Sequence, residues 1–254
     1  FSELTSSLCT VGLWGPRARD VLQSVSTDDV SHSGFPFGTL KEVTIGNLRT
    51  LAFRISYVGE LGWEIYVPME YGLLLWDLLW EAGQDYGIVP VGMGVYGTTG
   101  RLEKGYRAVG MELEKDYNPV EAGLARPLVK QDDFVGKPAY LKAREQQLSA
   151  TLCTLTVDDH TSSSGEARYM LGNEPILSPE GNPLVDIHGR YSYVTSTGSG
   201  PSVGKHILYS YLPREQAQVG TKLAVFFMGE LYPVTVEVVG SAALFDPENL
   251  RMNA

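Results

Sequence analysis

The sequence predicts an α+β fold, with a helix-and-sheet domain over residues 1–135 followed by a small antiparallel β-barrel domain over residues 136–254. Three observations carry this expectation. Residues before about 110 mix helical periodicity with two-residue alternation. Residues after Gln147 turn to short β-prone runs separated by turn residues. A polar stretch near residues 126–150 divides the two textures. Helices set against an antiparallel sheet make an α+β domain, and successive short strands make a barrel or sandwich.

Taken in order, Ser7–Leu13 reads as the edge of a sheet. Gly15-Pro16 opens a helix, since proline's missing N–H would be unpaired at the first helical position. Ala18, Val21, Leu22 and Val25 give that helix one buried face, and Thr27-Asp28-Asp29 ends it. Leu51–Tyr57 and Trp63–Val67 read as antiparallel strands joined through Val58-Gly59-Glu60-Leu61-Gly62. Met69–Tyr86 is the strongest helix, with Tyr71, Leu75, Leu78, Leu79, Ala82 and Tyr86 on one stripe. A further helix is expected over Met93–Lys104, with Gly105 in its left-handed C-terminal position. Pro138 starts a short polar helix over Lys137–Gln146. The expected barrel strands are Ala150–Val157, Tyr193–Thr197, Tyr209–Leu212, Lys222–Met228 and Leu231–Val239, with a tight hairpin at Gly229-Glu230.

Composition narrows the function classes. The chain has 254 residues, 43% hydrophobic and 20% charged, which is ordinary for a globular protein. No apolar run approaches the ~18–20 residues of a membrane span, and Leu73–Trp80 is broken by Asp77. A net charge of −10 argues against nucleic acid, whose phosphates call for clustered Lys and Arg. Cys9 and Cys153 lie in apolar strand-like runs and read as small buried thiols, which suits a reducing compartment. With no initial methionine and no basic, apolar leader, targeting is not legible, and a processed or truncated piece is expected.

Several motifs resolve to turns or helices. Gly92-Met93-Gly94-Val95-Tyr96-Gly97 has the letters of a dinucleotide fingerprint, but Pro90 interrupts the preceding run and no βαβ unit follows. Gly94, Gly97 and Gly100 instead weaken a helix, each by up to ~1 kcal/mol. Gly200–Lys205 has the wrong spacing for a phosphate loop. Asp158-Asp159-His160 reads as a strand-end turn rather than a metal site. Glu64 is the sharpest candidate: an ionised carboxylate only accepts hydrogen bonds and can take a donor–donor edge of a ligand with both oxygens. Tyr57, on the same hairpin, offers a stacking ring and a hydroxyl, or serves as a core tyrosine. Glu60 reads as a solvated turn charge, and Lys104 and Arg107 as partners of a helix C-terminus.

These residues carry a resemblance. Trp14-Gly15-Pro16-Arg17-Ala18, the run Gly59-Glu60-Leu61-Gly62-Trp63-Glu64-Ile65-Tyr66-Val67, Arg101-Leu102-Glu103-Lys104-Gly105-Tyr106-Arg107, Asn118-Pro119-Val120-Glu121 and Asp133-Phe134-Val135-Gly136-Lys137 resemble the folate-binding family of the glycine-cleavage aminomethyltransferase. Within it the likeness is to the C-terminal folate region of dimethylglycine and sarcosine dehydrogenases and oxidases. The resemblance implies the later part of a folate-binding α+β domain and a C-terminal barrel, with tetrahydrofolate as cofactor. It implies that Glu64 holds the pterin, with Tyr57 and Arg101 beside it in the cofactor site, and that Asn118–Glu121 is a linker closing that site. The reaction implied is capture of a methylene group from an N-methyl amine as methylenetetrahydrofolate, with FAD on a part not present in this chain. A catalytic aspartate is expected in a missing N-terminal segment; the partners would be that segment or a flavin domain, and this chain alone would be inactive. Gly97-Thr98 and Leu250 depart from the aminomethyltransferases proper, where an Arg-Asp pair and a tyrosine stand. The alternative is a non-catalytic regulatory or assembly relative of the same fold. The implied compartment is the cytoplasm or mitochondrial matrix.

Overall fold

A computed structural model describes residues 2–254. It divides into two compact units, one ending at Gly92 and completed by Glu248–Ala254, the other spanning Met93–Pro247. The position expected for the domain boundary, residue 135, falls inside the second unit.

The first unit contains β1 (Leu8–Trp14), α1 (Ala18–Ser24), β2 (Leu40–Ile45), β3 (Leu48–Phe53), β4 (Gly62–Pro68) and α2 (Gly72–Gly83). Its strands form an antiparallel sheet in the order β1-β4-β3-β2. Strand β4 alternates strictly: Trp63, Ile65 and Val67 are buried, whereas Glu64 and Tyr66 are half-buried on the opposite face. The buried set packs with Leu22 of α1, Leu75 and Leu79 of α2, and Phe35, whose ring lies 5.9 Å from that of Trp63. The strand expected over Leu51–Tyr57 starts earlier and stops at Phe53, which leaves Tyr57 in the loop before β4. The edge strand β2 has no counterpart in the sequence-based expectation, because only Val43 and Ile45 of its six residues are buried.

In the second unit the helix expected over Met93–Lys104 is present and runs unbroken through residues 93–103, but its middle, Val95–Gly100, is π-helical and only its last turn, α3 (Arg101–Glu103), returns to α-geometry. Gly94, Gly97 and Gly100 lack the propensity that holds α-geometry, and a wide turn of this kind often marks a helix under strain. Gly105 does take the left-handed conformation, with φ of 71°. Then come α4 (Lys137–Glu145), β5 (Ala150–Val157), β6 (Ile176–Leu177), β7 (Val194–Gly200), β8 (Lys205–Pro213), β9 (Lys222–Phe227) and β10 (Glu230–Val239).

These six strands form one antiparallel sheet, β6-β9-β10-β5-β8-β7. It curls on itself: Ile176 N–H donates to Ser192 O and Val194 N–H to Glu174 O, tying together the segments beside the two outer strands. Leu155, Val157, Leu208, Leu212, Val225 and Val234 fill one side, and Leu152, Ile207, Tyr209 and Tyr211 pack with Leu102 of α3 on the other. Cys153 is buried among the first set, and burial pushes its thiol up to about 12. The β9–β10 hairpin turns on Met228-Gly229, one residue earlier than the sequence suggests. Both carry positive φ, 50° and 87°, as the right-handed twist of the strands requires.

Candidate functional site

The exposed face of β4 collects the sequence-singled carboxylate and an aromatic frame. Glu64 pairs with Gly12 of β1 on one side and Phe53 of β3 on the other, so all three positions share one face. Tyr66, two residues along, donates its hydroxyl to Glu64 Oε2 at 2.5 Å and fixes the carboxylate's rotamer. Trp14 completes the frame. Its indole lies flat over Gly12: a Cβ built at Gly12 would fall 2.1 Å from the ring, and one at Gly62 would meet Trp14 Cδ1 at 2.4 Å. Glycine at these two positions is what lets the indole lie against the backbone. Trp14 Nε1 donates to Ile55 O at 3.1 Å, which ties the β3–β4 loop to the same ring.

That loop carries Tyr57, which is half-buried. Its shape is set by Ser56, whose buried hydroxyl oxygen accepts the Gly59 and Glu60 N–H groups at 2.9 and 3.1 Å. Gly59 takes φ of 83° there. Glu60, expected as a solvated turn charge, is ion-paired through Oε1 with Arg251 Nη1 at 2.6 Å.

Arg101 lies in the second unit, and its surroundings are structural. Its side chain is fully buried. Nε donates to Gly97 O at 2.6 Å, Nη1 to Tyr106 O at 3.2 Å and to Glu112 Oε2 at 3.0 Å, and Nη2 to Ser196 Oγ at 2.5 Å and Met111 Sδ at 3.4 Å. A guanidinium has five N–H donors, and these five contacts engage all of them. Glu112 is completed by the Ala108 N–H at 2.9 Å and Thr195 Oγ1 at 2.8 Å. Lys104 does not serve the end of its own helix. Its ammonium donates to Asp246 O at 2.5 Å and pairs with the Asp246 carboxylate at 3.5 Å. Asn118 and Glu121 bond each other: Asn118 Oδ1 accepts the Val120 and Glu121 N–H groups, and Glu121 Oε2 accepts the Asn118 N–H. The Glu121 carboxyl is held below the usual range by Arg190 and Ser149 against the opposing effect of burial, the largest single influence. Asp158 accepts from Thr235 and Lys222, and Asp159 accepts the Thr161 N–H, so this acidic run is a strand-end turn.

The structure surrounds Glu64 with a frame that the sequence reading did not include. Tyr66 was recoverable from two-residue alternation. Gly12, Trp14 and Phe53 required the strand register.

The fold these units adopt is of the aminomethyltransferase kind: the structure superposes on glycine cleavage system aminomethyltransferase T from Bartonella henselae with a TM-score of 0.74 at 22% identity, covering 91% of this chain and 58% of that one. The family model "GCVT N-terminal domain" matches residues 1–132, and "Glycine cleavage T-protein C-terminal barrel domain" matches residues 151–241. The chain belongs to the glycine cleavage T-protein family. It is 35% identical to dimethylglycine dehydrogenase, mitochondrial, of Homo sapiens, over 92% of this chain and 26% of that protein. It is 33% identical to an aminomethyltransferase of Caldanaerobacter subterraneus subsp. tengcongensis, over 88% of this chain and 55% of that protein. Sarcosine oxidase subunit alpha of Corynebacterium sp. is 29% identical, over 98% of this chain and 25% of that subunit. The chain thus spans about a quarter of the length of the dehydrogenase and about half that of the aminomethyltransferase. Among the described residues, no helix is long and apolar enough to cross a membrane.

Proposed function

We propose that this chain is a tetrahydrofolate-binding one-carbon transfer module, receiving a methylene group derived from an N-methyl amine of the dimethylglycine or sarcosine type. The observation that carries this reading is the Glu64 carboxylate, oriented by Tyr66 and framed by Trp14 and Phe53 on one sheet face. A pterin presents a ring N–H beside an exocyclic NH2. Glu64 accepts both, while the flat faces of the aromatic residues suit a flat heterocycle. Tyr57 contributes a ring or hydroxyl from the adjoining loop, which Ser56 and Trp14 hold in place. Arg101, which bonds Gly97 O of the π-helical turn in the second unit, is the remaining residue of the proposed cofactor set. Folate supplies the nucleophilic nitrogen that receives the carbon. This chain's residues bind and orient it and exclude water. Oxidation of the amine, with FAD, belongs to residues outside this chain, as does the acid–base carboxylate. The cytoplasm or mitochondrial matrix is the compartment that fits this chemistry.

The second reading is a non-catalytic relative, and the π-helical turn over Val95–Gly100 favours it, since glycines there have loosened a helix. Calorimetric titration of tetrahydrofolate separates the two. Saturable binding that Glu64→Gln weakens supports the folate module; the absence of binding to the longest available form of the protein rejects it.

A further inference from the structure

The sheet of the first unit has two edges, and they are finished differently. Strands β1 and β2 are its outer strands. In an antiparallel pair, residues alternate between those that bond the neighbour and those whose N–H and C=O point away from it. Two bonds at the ends of the β1–β4 ladder fix which are which: Gly15 N–H donates to Leu61 O at 2.9 Å, and Met69 N–H to Ser7 O at 3.0 Å. The odd-numbered residues of β1 therefore bond β4. The even-numbered residues Leu8, Thr10 and Gly12 turn their backbone outward, and all three are exposed.

Arg54 N–H donates to Thr39 O at 3.0 Å, so the even-numbered residues of β2 face outward in the same way. That edge is guarded. Asp28 Oδ2 takes the Thr44 N–H at 2.7 Å, Val25 O takes the Gly46 N–H at 2.7 Å, and Glu42, ion-paired with Arg49, sets charge on the rim. On β1, Leu4 O takes the Leu8 N–H at 3.2 Å. Among the described residues, nothing takes Leu8 O or the N–H and C=O of Thr10 and Gly12. From Leu8 to Trp14 the strand has no charge, no proline and no bulge. Such an edge is a template for a further strand.

We propose that the occupant of this edge is β1 of a second copy of the chain, paired antiparallel about a two-fold axis through Val11. In this register Thr10 N–H donates to the partner's Gly12 O, and Gly12 N–H to the partner's Thr10 O, each bond being made twice by symmetry. All the open groups of both residues are then used. Setting Thr10 on the axis instead would aim Gly12 O at the partner's Leu8 N–H, which Leu4 O already holds. On the core face Val11 meets its own copy and Cys9 meets the partner's Leu13, which carries the apolar interior across the seam. Charge is complementary as well. The exposed Glu3 precedes β1 and the exposed Arg17 follows it, so an antiparallel seam sets each end against its opposite. The seam is built from backbone groups, so the proposal goes beyond the folate reading and does not rest on it.

Sedimentation equilibrium on the full chain, and on the longest available form of the protein, should show dimers that dissociate on dilution. Thr10→Pro removes an outward N–H without touching the ladder to β4, a change that edge strands accept. It should weaken association about tenfold or more. Val11→Cys tests the register independently: mild oxidation should link two copies, whereas Thr10→Cys should not link them. Amide exchange at Thr10 and Gly12 should slow as concentration rises. A monomer at every concentration overturns the proposal; if its Thr10 and Gly12 amides are nonetheless protected, another strand of the same polypeptide holds the edge. A folded Thr10→Pro chain that dimerises as the parent does, or a Val11→Cys chain that does not cross-link, overturns it equally.

Discussion

Strands β4 and β8 use the same alternation to opposite ends. In β4 only the odd-numbered positions face a core, and the even-numbered positions Glu64 and Tyr66 lie on a half-buried face with Trp14 and Phe53. In β8, seven consecutive residues from His206 to Leu212 are buried. Leu208 and Leu212 point into the inside of the curled sheet, while Ile207, Tyr209 and Tyr211 pack against α3 on its outside. A strand with two cores has no face left for a ligand. A strand with one core can give its other face to polar groups without emptying the interior. The same split governs the two notable charges: Glu64 is half-buried, whereas Arg101, packed beside β7 and β8, has every donor consumed.

The largest expected effect tests the second unit. Glu112→Ala leaves the Arg101 guanidinium buried and uncompensated, which costs about 3–5 kcal/mol. Denaturant unfolding should show that loss. A change under ~1 kcal/mol would mean that water relieves the charge and that Arg101 is not locked. Glu64→Gln comes next and should act on affinity instead. An amide turns one donor toward a donor, so tetrahydrofolate should bind roughly 5- to 150-fold more weakly, for a loss of about 1–3 kcal/mol. Unfolding should stay within ~0.5 kcal/mol of the parent, as expected for a position outside the core. Equal losses in affinity and stability would erase the contrast between the two strands.

His206, at the start of β8, sharpens the comparison through pH. Burial, the leading cause, lowers its pKa from the ordinary 6.5. The folded state therefore binds fewer protons than the unfolded one between the two values. Stability should be full above about pH 6.5 and fall as pH drops below it, by at most ~1.4 kcal/mol per pH unit from this one site. Asp158 and Asp186, whose carboxyls are held below their ordinary value of 3.8, contribute their losses only at lower pH. His206→Asn should flatten the stability profile just below pH 6.5 relative to the parent, an effect read from urea midpoints. The smallest effect is expected at Gly97. An added Cβ there meets nothing within 4 Å, so Gly97→Ala should stabilise by up to ~1 kcal/mol through helix propensity alone. Destabilisation would show that the π-helical turn is itself required.

How much could be read in advance followed from how local the causes are. Strand β5 matches its expected span because Thr151, Thr154, Thr156 and Val157 are β-branched and all but one of its residues are buried. Strand β2 escaped notice because Lys41 and Glu42 dilute an alternation that only Val43 and Ile45 express. The glycines at 94, 97 and 100 were legible as weakness, but not as a π-turn, since that choice depends on what the turn packs against, including β7. Glu64 stood out through its own motif. The Trp14 indole that frames it depends on Gly12 two residues before it in β1 and on Gly62 opposite it in β4, a register that no single segment encodes. The partners of Arg101 were hidden for a related reason: Glu112 and Ser196 stand on other segments, out of reach of sequence spacing.

The first unit is discontinuous in sequence, and this gives its assembly an order in time. Residues up to Gly92 emerge from the ribosome carrying α1, α2 and the whole four-stranded sheet, but without the buried Met252, the Arg251 partner of Glu60 or the carbonyl that engages Arg19 and Arg54. Those arrive only after the entire six-stranded sheet has been synthesised. During that interval the first unit lacks the acceptor that Arg19 and Arg54 share in the finished fold. The first unit is complete only once residues Glu248–Ala254 join it, and not with its own strands alone.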